Sequence, residues 1–169
     1  MVSAVWLAMS AVVAQAGDFQ IGVGPSGFYA TQLKSMGVGV RAQSYGTRFQ
    51  AAYSLNYFFE KDGVSMFEMN FDFHYVFNIT EKFHIYPLAG WVHNWVHVNT
   101  SSKIDVPKGF EQYVKDNSES GTKWYNGFNV GGGIEYLVTP HIGVGIEGKY
   151  SYLYNIDQGV VGLYVNYIF

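Results

Sequence analysis

Cysteine is absent from the 169 residues, which excludes disulfides, thiolate metal sites, cysteine nucleophiles and a lipid-bearing lipoprotein cysteine. Charge is scarce as well. Only 14% of the chain is Asp, Glu, Lys or Arg, against about 25% in a soluble domain, too little to coat an ordinary water-facing surface. The formal net charge is -3 and no basic block stands out, so no nucleic-acid partner is expected. No stretch reaches the ~20 apolar residues of a spanning helix. Residues 1–16, MVSAVWLAMSAVVAQA, carry an apolar run that ends in Ala14-Gln15-Ala16, the small-x-small pattern of a cleavage site, and read as an export signal peptide ahead of one domain over 17–169. Passage through a membrane would therefore have to use strands.

What the chain has in abundance is apolar and aromatic material, 49% and 18% of it, laid out in alternation. In MFEMNFDFHYVFNI, residues 66–79, one set is Phe67, Met69, Phe71, Phe73, Tyr75, Phe77 and Ile79, and the interleaved set is mostly polar. A period of two is a β-strand with one apolar face. The same period predicts eight strands, over 18–25, 34–45, 48–60, 65–79, 83–99, 123–138, 141–154 and 159–169. Most approach or exceed the ~9–11 residues a tilted strand needs to cross a bilayer. Tight turns at 45–47, 80–82 and 139–140 alternate with connections at 26–33, 61–64, 100–122 and 155–158, of which 26–33 and 100–122 are long. Outer-membrane barrels are built this way, with turns in the periplasm and loops outside.

The polar faces are rich in glycine, including Gly22, Gly37, Gly39, Gly131, Gly133, Gly143 and Gly145, as a crowded interior requires. The apolar faces carry aromatics near their ends: Phe59, Phe67, Trp124 and Tyr154 by the loops, Phe49, Phe77, Tyr136 and Phe169 by the turns. Two such girdles mark the two interfaces of a membrane. The predicted fold is all-β: a closed eight-stranded antiparallel transmembrane β-barrel, an up-and-down meander with its apolar face outward. A soluble lipocalin-like carrier of hydrophobic ligands would share the alternation with the faces exchanged.

GGGIEYLVTPHIGVGIEGKYSYL at 131–153 resembles the penultimate hairpin of small eight-stranded outer-membrane proteins of the OmpX, Ail and OmpA transmembrane-domain kind. The ending YVNYIF resembles their C-terminal assembly signal, with Phe169 terminal and Tyr167 two residues earlier. The resemblance implies a Gram-negative outer membrane and partnership with its lipids and with the barrel-assembly machinery; with the chain stopping at its eighth strand, the peptidoglycan-binding domain of full-length OmpA-type proteins is not expected. Barrels of this kind host adhesins, stabilisers and lipid enzymes, so fold alone does not assign a role.

An eight-stranded barrel is just wide enough to be filled by side chains. Arg41, Glu68, Asp72, Glu135, Glu147 and Lys149 are predicted to point inward, where charges must pair or keep water. Arg41 should sit near Glu135 or Glu147, and Lys149 near an acid such as Asp72. His93 is predicted to join this lumenal network beside Glu68, a couple that could begin a hydrolase triad, although no nucleophilic Ser is expected at the rim. His93 and His97 lie ~13 Å apart along a strand, too far to share an ion, and His74 should face residue 88. No metal, cofactor or catalytic residue is expected. Gly24-Pro25-Ser26-Gly27 reads as a turn. The 100–122 loop offers Lys108, Phe110, Tyr113 and Lys115 as contacts for a host or surface ligand, with a short amphipathic turn after Pro107. The expected function is a non-enzymatic structural or surface-interaction role, adhesin-like, through that loop; a small outer-membrane lipid-modifying enzyme is the alternative.

Overall fold

The computed structural model describes residues 19–98, 121–153 and 156–169. The signal segment 1–16 and the loop residues Lys108, Phe110, Tyr113 and Lys115 lie outside the described residues, as does Tyr154. Nine strands follow in chain order: β1 (Gln20–Ala30), β2 (Ser35–Tyr45), β3 (Phe49–Lys61), β4 (Val64–Tyr75), β5 (Phe77–Asn78), β6 (Phe83–Val98), β7 (Gly121–Thr139), β8 (Ile142–Leu153) and β9 (Ile156–Ile168). Every pairing is antiparallel; strands pair with chain neighbours except that β4 also pairs β6, and β1 pairs β9 to close the sheet. β5 continues β4 along β6 in unchanged register. The lapse between them comes opposite Pro87, which has no N–H to give the ladder. Counted as one wall, β4 and β5 make this a closed eight-stranded barrel.

Its stagger follows from the register. Ser26 leads through Tyr164, Gly145 and Glu135 to His84 on β6. In the other direction it leads through Gly39, Asn56 and Glu68 to Asn94 on the same strand. That offset of ten residues requires the strands to tilt, by ~35–45° in barrels of this kind, and winds the inward side chains into a tight column.

The predicted turn at 24–27 is instead strand. β1 runs on to Ala30, and Thr31–Lys34 make the turn. Pro25 is accommodated because β1–β9 pairing lapses between Val23 and Ser26, where its missing N–H would have fallen. Gly24 is required by closeness: a Cβ there would stand 1.7 Å from the Val165 carbonyl oxygen.

The apolar face points outward. Phe49, Phe77, Tyr136 and Phe169 are exposed at the turn end, and Phe59, Phe67 and Trp124 at the loop end, forming the two expected girdles. Between them lie exposed Val38, Val40, Phe73, Val130, Ile146 and Leu163. In water this exterior would be a vast sticky patch; in hydrocarbon it is the favourable surface. Leu163→Arg, on the outer face mid-strand and 59% exposed, is therefore expected to cost about 2–4 kcal/mol in lipid. Urea unfolding in vesicles measures it, and a negligible cost would place that face away from hydrocarbon.

Candidate functional site

Inward positions of seven strands build one polar network in the half of the lumen nearer the turns. Arg41 of β2 donates through Nη1 to Glu147 Oε2 of β8 at 2.8 Å, both side chains 2% exposed. Its Nε donates to Gln43 Oε1 at 3.0 Å, and its guanidinium lies 4.2 Å from the ring centre of Tyr164. Nη2 also comes to 3.4 Å from His74 Nε2, and the His74 ring stacks on Tyr86 at 4.4 Å. Tyr86 donates to Glu147 at 3.3 Å and meets the Tyr164 hydroxyl at 3.0 Å. Glu135 accepts from Tyr45 at 2.7 Å and from Tyr164 at 3.2 Å. The guanidinium is thus held by a carboxylate, an amide and an aromatic face, which is how a buried cation is made tolerable.

One layer nearer the loops, Lys149 Nζ of β8 sits 3.4 Å from Asp72 Oδ2 and 3.7 Å from Glu68 Oε1, both on β4. Glu68 accepts from Asn56 at 3.1 Å and Asn70 at 2.7 Å, while Asn129 donates to Asn70 and Asp72. Above this layer Phe28, Phe58, Met66, Val92, Val96 and Leu153 pack as one buried cluster, and Asn94 and Gln158 are buried in the same half of the lumen. Glycines make room for the bulk. A Cβ on Gly145 would stand 2.2 Å from the Tyr164 ring, and one on Gly162 2.1 Å from Phe28.

The structure brings Arg41, Glu68, Asp72, Glu135, Glu147 and Lys149 together in the lumen, with Arg41 on Glu147 and Lys149 on Asp72, and His74 pairs Leu88 across β4 and β6. His93 does not join them. Glu68 pairs with Asn94, so His93 stands one residue off, on the outer wall, where its Nδ1 meets Asn126 Oδ1 and its ring lies 4.2 Å from that of Trp95. The His–carboxylate couple of the enzyme alternative is therefore not formed. Ser65, overlooked at the rim, alternates onto the outer face opposite His97, but the His97 Nδ1 lies 3.0 Å from the Thr122 hydroxyl and the row contains no carboxylate. Among the described residues no group of three or more His, Cys, Asp or Glu could hold a metal ion. Tyr167 and Phe169 lie exposed at the end of β9, their ring centres 5.0 Å apart. Tyr45, Tyr86, Tyr164 and Asn129 were missed as network members; their places at inward parity beside the charged residues were the available signal.

An exterior of large apolar side chains around buried, paired charges defines a membrane-spanning β-barrel. No family model matches the chain, and no curated protein matches it. Among solved structures the N-terminal β-barrel domain of Pseudomonas aeruginosa OprF superposes with a TM-score of 0.68 at 16% identity, covering 89% of this chain and 97% of that one. Ail of Yersinia pestis superposes at 0.61 with 17% identity, covering 92% and 100%. Neisserial surface protein A gives 0.61 with 15% identity, covering 88% and 96%. The fold is that of the small eight-stranded barrels of Gram-negative outer membranes.

Proposed function

We propose that the protein is a non-enzymatic, non-conducting surface protein that meets its partner through the loop end, chiefly the 100–122 segment. The observation that carries this reading is the packing of the lumen: among the described residues an ion network lies below an apolar cluster, and the side chains of both are buried. With the inside closed and the wall in lipid, binding falls to the loops that a rigid barrel presents. The complex of Ail with the heparin analogue sucrose octasulfate is one case of a barrel of this fold taking a surface ligand. In this chain the 100–122 segment holds Lys103, Lys108 and Lys115 against Asp105, Glu111, Asp116 and Glu119. Such balance favours a protein surface over a polysulfated sugar, with Phe110 and Tyr113 as the aromatic anchors.

Replacing 103–119 by a short Gly/Ser linker is expected to abolish adhesion of expressing cells to host-cell or bacterial surfaces while the barrel still assembles, as read by a shifted unboiled band on a gel. Adhesion that persists in the deletion would refute the loop assignment. A change in lipid A mass when the gene is removed would instead favour the enzyme reading.

A further inference from the structure

The loop end of β4, β6 and β7 carries several polar side chains on the outer wall. There three register rows stand side by side on the lipid-facing side: Met69–His93–Asn126, Phe67–Trp95–Trp124 and Ser65–His97–Thr122. Polar rows thus bracket an aromatic one. Both histidines are held in one way, each through Nδ1 by a polar residue of its own row on β7, His93 by Asn126 Oδ1 and His97 by the Thr122 hydroxyl. Among the described residues neither Nε2 has a hydrogen-bond partner. The His93 ring lies 4.2 Å from that of Trp95 and 5.5 Å from that of Trp124, and Trp95 packs on Phe67 at 5.3 Å. No acid occupies any of the nine positions.

From this we propose that the patch seats the phosphate-bearing headgroup of a lipid in the outer leaflet. The loop end of such a barrel lies at the external interface, so the patch is level with headgroups and its indoles bridge apolar and wet regions. Asn126 Oδ1 orients the His93 ring through Nδ1, which leaves Nε2 to face an anion as a hydrogen-bond donor. His97, two rows further out, offers its own Nε2 beside the Thr122 contact. Tryptophans alone would serve as an ordinary girdle. Two oriented imidazoles with no acid beside them are a charge-selective addition. The proposal is independent of what the 100–122 segment binds.

The test uses the full chain in neutral detergent micelles, with native mass spectrometry of retained lipid. The probes are bisphosphorylated lipid A and the same lipid dephosphorylated. The wild type should retain the phosphorylated form roughly tenfold better, as expected when one or two charge-assisted hydrogen bonds decide binding. The pair H93Q and H97Q should erase that preference while the unboiled gel band still shifts. If that double variant fails to assemble, N126L with T122V removes the two β7 holders and should reduce the preference severalfold. Equal retention of the two lipids by the wild type would overturn the proposal, as would a preference that survives both variant pairs. A dimer that dissociates on substitution of His93 would assign the patch to a second copy of the chain and overturn it equally.

Discussion

Arg41→Ala should lower the unfolding free energy of the barrel in lipid by about 3–5 kcal/mol, the usual cost of removing one partner from a buried ion pair. The alanine would strand Glu147 at 2% exposure with the Tyr86 hydroxyl as its nearest donor, and would also strip Gln43, His74 and the Tyr164 ring of a common neighbour. Replacing both partners together, Arg41→Met with Glu147→Leu, should restore most of the loss, because desolvation of two charges disappears along with their attraction. Urea titration of vesicle-bound protein, followed by tryptophan fluorescence, separates the two variants. A single variant within about 1 kcal/mol of wild type would mean that water reaches and solvates the Glu147 carboxylate, and the sealed-lumen reading would fall with it.

Gly24→Ala is the second large effect, and it acts on closure. The new methyl would lie 1.7 Å from the Val165 carbonyl oxygen and 3.0 Å from the Asn166 Cα, both backbone atoms of β9. A flexible side chain could swing away from such a clash; a backbone can yield only by parting β1 from β9, the seam that closes the sheet. The cost should reach at least the upper end of the ~1–3 kcal/mol typical of overpacking, and the unboiled band should lose its shift. Gly148→Ala is the matched control, since a Cβ there meets nothing within 4 Å. It should be neutral or gain roughly 0.5–1 kcal/mol from the lower entropy of the unfolded chain. Equal effects at the two positions would sink the close-approach account of Gly24.

Most of the barrel was legible because alternation along a strand is a local property. Once the apolar face was placed outward, Arg41, Glu147 and Lys149 had only the lumen to occupy, and their opposite charges selected the partners. The same rule misplaced His93. It assumed that the polar residues of β6 face inward, whereas Val92, Val96 and Val98 fill the lumen there and His93 and His97 take the outer wall. Near the loops the lumen mixes these valines with buried Asn94 and Gln158, so polarity loses its power to tell the faces apart and only register decides. The turn expected at 24–27 failed for a related reason. Gly and Pro signal a turn locally, but here Gly24 answers to the approach of β9 and Pro25 to a gap in pairing with that strand, more than a hundred residues away in the chain.

The amino-acid pattern by itself determined the class of fold, the strand count, the outward apolar face and the pool of inward charges, because each depends on a period of two and on the cost of unpaired charge. The tertiary structure alone decided the ten-residue stagger, the face presented by His93 and His97, the tyrosines that complete the ion network and the apolar seal above it. Those depend on which residues of distant strands stand at one height, and the register that sets this comes from closing β1 onto β9.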